Sequence, residues 1–340
     1  MVKCVNIGMV NCLTGDNMFK KIISIICAIL SFLGNPFCSD EKLSNPDATA
    51  EAVELYSYIC NVYGNQIISG QQESTWVDGE QYEFRYIYEK TGKYPAIRGL
   101  DYMNDDFEGV NRRAVEWHEK GGIVTICWHC GSDFSGSWAE SMNTEIADWD
   151  KALTEGTEEY EKLIAGMDKG AKALLRLKEQ NIPVLWRPFH EADGQWFWWG
   201  KGGNTNFKKL WKLMYERYTE FWELDNLIWV LGLSERGEDY YKWYPGDEYV
   251  DIAGADSYID GPNENLYKKV KMVVGKKMPV CFHECGKIPT VAELHDSGAW
   301  WVWFMAWHTE YMVDRNSDED LYAIYNDEYV ITLDELPDWK

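Results

Sequence analysis

Two glutamates stand in surroundings that are wrong for ordinary surface carboxylates. Glu191 lies in Val184-Leu185-Trp186-Arg187-Pro188-Phe189-His190-Glu191-Ala192-Asp193-Gly194-Gln195-Trp196-Phe197-Trp198-Trp199-Gly200, where an arginine, a histidine and a run of aromatic rings crowd one loop. Glu284 lies in Pro279-Val280-Cys281-Phe282-His283-Glu284-Cys285-Gly286-Lys287, at the end of an apolar stretch. A glutamate at the end of an apolar strand is an awkward placement unless its carboxylate is paired or used. Two carboxyls in contrasting environments can cleave a glycosidic bond. One protonates the leaving oxygen and the other stabilises or traps the oxocarbenium-like carbon. Aromatic neighbours exclude water and disfavour the ionised form, which suits Glu191 to the acid's part. An arginine such as Arg187 would keep a nucleophilic carboxylate at Glu284 ionised. The bland alternatives are a solvated loop glutamate at 191 and a structural ion pair between Glu284 and Arg187. A separation of about 5–5.5 Å between the carboxyls means retention of configuration and about 6.5–9.5 Å means inversion. Sequence leaves that distance open.

Residues 93 positions apart need a scaffold that brings them together. After Asp40 short apolar runs alternate with longer segments of helical period, the pattern of a parallel α/β fold. Eight strands are expected at Gln66–Ser69, Ala96–Leu100, Gly122–Trp128, Val184–Arg187, Asn226–Leu231, Val250–Asp256, Pro279–Phe282 and Ala299–Met305. They are nearly continuous apolar runs, as strands buried on both faces should be. In Glu159–Gln180 the residues Tyr160, Leu163, Ile164, Met167, Ala171, Leu174 and Leu175 fall on one helical stripe. Asn206–Glu223 carries a second stripe, with Asn206 as its expected N-cap, and Ala48–Tyr63 should form a helix before the first strand. No Gly-rich dinucleotide loop follows the first strand. Polar or aromatic residues instead follow almost every strand: Gln71-Gln72-Glu73, Asp101-Tyr102, His129, His190-Glu191, Ser234-Glu235, Asp256-Ser257-Tyr258, Glu284 and Trp307-His308. A closed barrel gathers those ends on one face, where barrel active sites lie. The expected architecture is a single-domain (β/α)8 TIM barrel over residues 40–340.

The run from Trp186 to Gly200 resembles the acid/base motif of glycoside hydrolase family 26, the β-mannanase family of clan A. The segment His283-Glu284-Cys285-Gly286-Lys287-Ile288-Pro289 is similar to that family's nucleophile motif. The likeness extends from about Ala48 to the C-terminus. It includes Ile68-Ser69-Gly70-Gln71, Gly254-Ala255-Asp256-Ser257-Tyr258 and Trp303-Phe304-Met305-Ala306-Trp307. The resemblance implies a retaining endo-acting hydrolase of β-1,4-linked mannan that needs no cofactor. It implies Glu191 as catalytic acid/base and Glu284 as nucleophile. It also implies that His190 and Trp196 contact the sugar beside the cleaved bond, that Tyr258 hydrogen-bonds the nucleophile and that Asp256 supports it. His129 would bind a hydroxyl group, and Trp307, rather than Trp303, would be the stacking platform. Trp138 is a looser match on a variable loop. Members of the family also act on mixed-linkage glucan or xylan, and a non-catalytic carbohydrate-binding barrel would share the Trp-rich mouth.

Composition is consistent with a sugar as partner. The 340 residues are 46% hydrophobic and carry a net charge of −23. That sign argues against nucleic acid and anionic lipid, both of which attract basic surfaces. Eighteen tryptophans and 21 tyrosines offer flat faces for the C–H side of a pyranose. These features suit a neutral sugar substrate and a monomeric chain, and the family resemblance implies mannan, glucomannan or galactomannan chains as the partners. Lys20 and Lys21 precede the apolar run Ile22–Leu33, at 12 residues too short to span a bilayer of about 30 Å. Residues 1–39 thus read as a secretory signal segment, with Met18 a candidate start. Cys38 is a candidate lipid-attachment cysteine, although Pro36-Phe37 is a poor context for one, and release is expected rather than a surface lipoprotein. Of nine cysteines, the five at Cys60, Cys127, Cys130, Cys281 and Cys285 are too few for a disulfide framework. Cys127, His129, Cys130 and His283 have metal-like spacing. Two-residue spacing on a strand aims side chains differently, so no metal is expected.

Overall fold

The computed structural model describes residues 38–39 and 42–339; residues 1–37 of the signal-like segment lie outside them. Its centre is a parallel barrel. The strands are β1 (Ile67–Gln72), β2 (Ile97–Asp101), β3 (Ile123–Cys127), β4 (Val184–Arg187), β5 (Leu227–Ser234), β6 (Ile252–Ser257), β7 (Val280–Cys285) and β8 (Trp303–Ala306). Each pairs with the next, and β1 pairs in parallel with both β2 and β8, which closes the ring. This is the expected eight-stranded TIM barrel. A short ninth strand, β9 (Val330–Ile331), lies against the start of β1, where β2 has not yet engaged. Two residues carry too little periodicity to be seen in sequence.

The helices are α1 (Ala50–Val62), α2 (Tyr82–Thr91), α3 (Phe107–Glu119), α4 (Glu158–Lys178), α5 (Gly203–Glu216), α6 (Glu264–Val274), α7 (Val291–Ser297) and α8 (Asp318–Tyr325). Thr49 caps α1 by accepting from Ala52 N, which satisfies one of the orphan donors of a first turn. The same chain segment is fastened to the N-terminal ends of β5 and β6, through Thr49 N to Asp225 O and Tyr56 Oη to Asp251 O. It then runs to the start of β1, so α1 crosses the floor of the barrel.

Helix α4 follows the expected stripe, burying Leu163, Ile164, Met167, Ala171 and Leu174. Helix α5 departs from expectation at its start. It begins three residues earlier than Asn206, whose side chain lies within the helix and donates to Gly202 O at 3.1 Å. Its C-terminal end, Arg217–Phe221, widens into a π turn. Most strands also extend further at their C-terminal ends than apolar patterning indicates. β1, β5 and β7 reach Gln72, Ser234 and Cys285, because polar residues there pair in the sheet while their side chains meet one another at the barrel mouth. Among the described residues no helix is long and apolar enough to cross a membrane.

Candidate active site

The polar ends of the strands converge on one cleft of about 1010 Å³. At its base Arg187, from the last position of β4, is buried and reaches across the barrel to β6 and β7. One Nη donates to Asp256 Oδ2 at 2.7 Å and to Glu284 Oε1. Burial opposes the guanidinium charge, but these two carboxylates more than offset it and raise the Arg187 pKa. Gly232 on β5 makes room for this arrangement. A β-carbon there would lie 3.0 Å from His190 Cβ and 3.2 Å from Arg187 Nε.

Glu284 is also held from β6. Tyr258 Oη donates to Glu284 Oε2 at 2.7 Å. Glu235, at the end of β5, accepts from the Ser257 hydroxyl and from Tyr258 N, the latter at 3.1 Å, and so fixes the backbone that carries the phenol. Both carboxylate oxygens of Glu284 therefore have donors, which aligns the group in one rotamer.

Glu191 arrives by a different route. The chain after β4 turns sharply, with Phe189, Glu191 and Gln195 all in the left-handed region at φ of 50°, 54° and 60°. That conformation is costly for side chains of this size and persists only where surroundings enforce it. Glu191 N donates to Gly232 O, Trp199 Nε1 donates to His190 O at 2.7 Å, and Trp198 Nε1 donates to Cys130 O at 2.9 Å. Two of the aromatic rings that follow Glu191 thus act as buried pins for the turn. The other two, Trp196 and Phe197, line the cleft. Trp196 Nε1 donates to Glu191 Oε2 at 3.0 Å. Burial, reinforced by the nearby Glu284 charge, pushes the Glu191 carboxyl well above its usual range, against the pull of Arg187. One carboxylate oxygen each of Glu191, Asp256 and Glu284 lie within 4.8 Å of one another.

The β2 and β3 ends supply a histidine pair. His129 Nδ1 lies 2.6 Å from Asp101 Oδ2, and His129 N donates to Asp101 Oδ1 at 2.9 Å. The carboxylate can only accept, so the His129 Nδ1 carries a proton. The His129 Nε2 lies 3.0 Å from His190 Nε2, and that His190 nitrogen is 3.7 Å from Glu284 Oε1. Burial, with Arg187 nearby, holds the His190 pKa far below the usual imidazole range, so this ring is neutral. Burial alone would raise Asp101, but the His129 contacts and two backbone N–H groups outweigh it and lower its pKa.

Trp307, Trp138 and Trp196 all line the cleft, whereas Trp303 is wholly buried. The two are four residues apart, so alternation would put them on one side. Height along the barrel separates them, since Trp303 begins β8 and Trp307 follows its last residue, Ala306. Of the residues with metal-like spacing, Cys127 and His129 come together with Asp101, while Cys130 and His283 are not part of that group. The sequence marks no role for Asp101, Asp193 or Glu235. Asp101 and Glu235 do sit at strand ends, which is the signal that marks them. Asp193 is buried and accepts from Ser234 N and Oγ, so it ties the acid-bearing turn to β5.

Residues 44–335 match the model of glycosyl hydrolase family 26. The chain belongs to this family. A mannan endo-1,4-β-mannosidase of Thermothelomyces thermophilus is 34% identical over 322 residues, covering 88% of this chain and 64% of the relative. A Piromyces sp. mannan endo-1,4-β-mannosidase B is 33% identical over 315 residues, 88% of this chain and 54% of its own length. The family 26 chain thus spans about half to two thirds of the curated relatives it matches. Among solved structures, a ruminal endo-β-1,4-mannanase of the family superposes with a TM-score of 0.82 at 34% identity, covering 88% of this chain and 71% of the other. A β-mannanase from a symbiotic protist of the termite Reticulitermes speratus, solved with a gluco-manno-oligosaccharide, gives 0.81 at 30% identity, covering 88% and 99%.

Proposed function

We propose that this family 26 glycoside hydrolase is a retaining endo-β-1,4-mannanase with Glu284 as nucleophile and Glu191 as acid/base. The observation that carries the reading is the approach of the two carboxyls to within 4.8 Å, with Glu284 held by Arg187 and Tyr258 and Glu191 kept protonated by burial. A gap of that size favours direct attack at carbon and leaves no room for the water that inversion places between carboxylate and sugar.

In the first step Glu284 bonds to the anomeric carbon as the glycosidic C–O bond breaks, and Glu191 gives its proton to the departing oxygen. In the second, Glu191, now a carboxylate, takes a proton from water. That water attacks the anomeric carbon and releases Glu284 with the sugar's configuration retained. His190 and His129 present ring nitrogens at the sugar's hydroxyl edge, Trp307 offers a face to the pyranose, and Asp256 holds Arg187 in place. Trp196 donates to Glu191 and lines the leaving-group side, and Trp138 stands at the exposed rim.

Mannan as substrate is supported by the similarity to mannan endo-1,4-β-mannosidases. Glucomannan and galactomannan share its β-1,4-mannosyl linkages. Proton NMR of the products during mannan digestion tests substrate, cut pattern and anomeric outcome together. Release of oligomers only from mixed-linkage glucan or xylan would refute the substrate, and initial release of α-anomer would refute the mechanism.

We also propose export with release of the mature chain. Cys38 is buried, with its sulfur 2.6 Å from that of Cys60. A diacylglyceryl group on that sulfur would not fit the site. Mass spectrometry of the N-terminal peptide from culture fluid and from membranes tests this, and a lipid adduct on Cys38 would refute it.

A further inference from the structure

We propose that Arg315 is a positioning residue for the nucleophile and that it acts through Tyr258. This rests on the reading of Glu284 as the attacking carboxylate. Tyr258 Oη is one of the donors that fix Glu284, so the place of that phenol sets the aim of the carboxylate. The Tyr258 peptide is gripped on both sides. Glu235 accepts from Tyr258 N at 3.1 Å, and Arg315 Nη1 donates to Tyr258 O at 3.2 Å. The first grip comes from the end of β5. The second comes from the other flank of the nucleophile, from the chain beyond β8.

Arg315 follows a short helical turn, Glu310–Val313, and lies 57 positions from Tyr258 in the chain. Its guanidinium crosses the end of β7 to reach the loop after β6. Gly286, two residues after the nucleophile, leaves the passage open. A β-carbon there would lie 2.6 Å from Arg315 Nη1 and 3.1 Å from Tyr258 Cδ1. Close approach of this kind is a use of glycine that no other residue can serve. Arg315 Nη2 donates to Asp260 Oδ1, so one planar group holds the loop after β6 at two points.

The segment that carries Arg315 is itself anchored. Buried Asn316 accepts from Ile288 N at 3.0 Å and donates to Tyr311 O at 2.8 Å, which fastens it to the loop after β7. The Tyr311 ring lies 4.9 Å from that of Tyr258 and limits its outward movement.

The plainer reading of Arg315 is a surface ion pair. It is 32% exposed and Asp260 is 62% exposed, and pairs of that kind add little to stability. The contact with the Tyr258 carbonyl and the passage over Gly286 go beyond such a pair. Tyr258 and Tyr311 line the cleft, and Arg315 is not among the residues that do. Its influence on the reaction therefore runs through the phenol, without contact with the sugar. Once the guanidinium is gone, the Tyr258 carbonyl turns to water and the phenol drifts from Glu284 Oε2. A small displacement of a reacting group lowers the rate of the chemical step more than it alters binding.

The test is a double-mutant cycle on mannohexaose with wild type, Arg315→Ala, Tyr258→Phe and the double variant. Arg315→Ala should lower kcat about tenfold with KM within twofold of wild type. Tyr258→Phe, which removes a hydrogen bond to a carboxylate, should lower it roughly 10–100-fold. The double variant should match Tyr258→Phe within a factor of two, because the phenol through which Arg315 acts is already gone. The Tm of Arg315→Ala should stay within about 2 °C of wild type, as for a half-exposed pair. A kcat within twofold of wild type in Arg315→Ala overturns the proposal. So does a rise in KM with kcat kept, and so do losses that multiply in the double variant. Mass spectrometry of wild type treated with an activated 2-deoxy-2-fluoro mannobioside separates the two readings. Label on a residue other than Glu284 overturns the nucleophile assignment and the proposal with it. Label on Glu284 together with independent losses overturns the proposal alone.

Discussion

Replacement of Glu191 by alanine separates the two halves of the proposed reaction. Burial and the Glu284 charge raise its pKa well above the usual range, and Trp196 donates a hydrogen bond to it. General acid catalysis of this kind contributes about 10²–10⁴-fold, or roughly 2.7–5.4 kcal/mol of the barrier at 1.36 kcal/mol per decade. The variant should therefore lose that factor on mannan, whose sugar leaving group needs a proton. On an aryl mannobioside with a dinitrophenolate leaving group the first step needs no acid. Glycosyl-enzyme should then accumulate on Glu284, because water lacks its base, and azide should restore turnover with a β-configured glycosyl azide as product. In the wild type, activity should fall as pH rises through the elevated Glu191 pKa, since the acid form is consumed, and that alkaline limb should vanish in the variant on the aryl substrate. Stopped-flow release of the phenolate, NMR of the azide adduct and mass spectrometry of the Glu284 peptide read these outcomes. Mannan hydrolysis within twofold of wild type, or an α-configured azide, would refute the assignment.

Arg187→Met leaves the buried carboxylates of Asp256 and Glu284 facing each other without their cation. Losing one partner of a buried ion pair costs about 3–5 kcal/mol, which urea melts at pH 7 should show, with less loss at pH 4, where the Asp256 carboxyl, raised by burial, is protonated. Asp101→Ala frees the His129 ring from its Nδ1 partner. Hydrogen bonds to charged groups contribute about 1.5–3 kcal/mol, so kcat/KM on mannan should drop roughly 10–100-fold and 15N NMR should show loss of the Nδ1–H tautomer of His129. Burial raises Asp193 to about 7. The folded state then binds a proton that the unfolded chain, with an ordinary carboxyl, releases near pH 4. The stability from this group is full at low pH and is lost as pH rises toward 7. Asp193→Asn should flatten the slope of Tm against pH across that window, and an unchanged slope would count against the shift.

The strands and their order were readable because a parallel barrel buries both faces of each strand, which leaves continuous apolar runs. Their C-terminal limits were harder to place. Gln72, Ser234 and Cys285 are still paired in the sheet, but polar side chains that serve the mouth break the apolar signal just where the site begins. Asn206 has the residue type of a cap, but the helix already begins at Gly203 and the Asn206 side chain donates to Gly202 O within it. The aromatic run after Glu191 looked uniformly like a water-excluding wall. Two of its four rings instead pin the turn, and only backbone geometry, with three left-handed residues between 189 and 195, separates these from the two that meet the cleft.

By itself the chain's residue pattern determined the barrel, the two glutamates and the side of the fold on which they sit, because strand period and strand-end chemistry are local properties. Tertiary structure alone decided the rest: that Arg187 bridges Asp256 and Glu284, that Asp101 orients His129, and that Arg315 reaches over Gly286 to Tyr258. Those are contacts between strands and loops distant in the chain. Closure of the ring creates them, and spacing along the sequence carries no record of which side chains will meet across it.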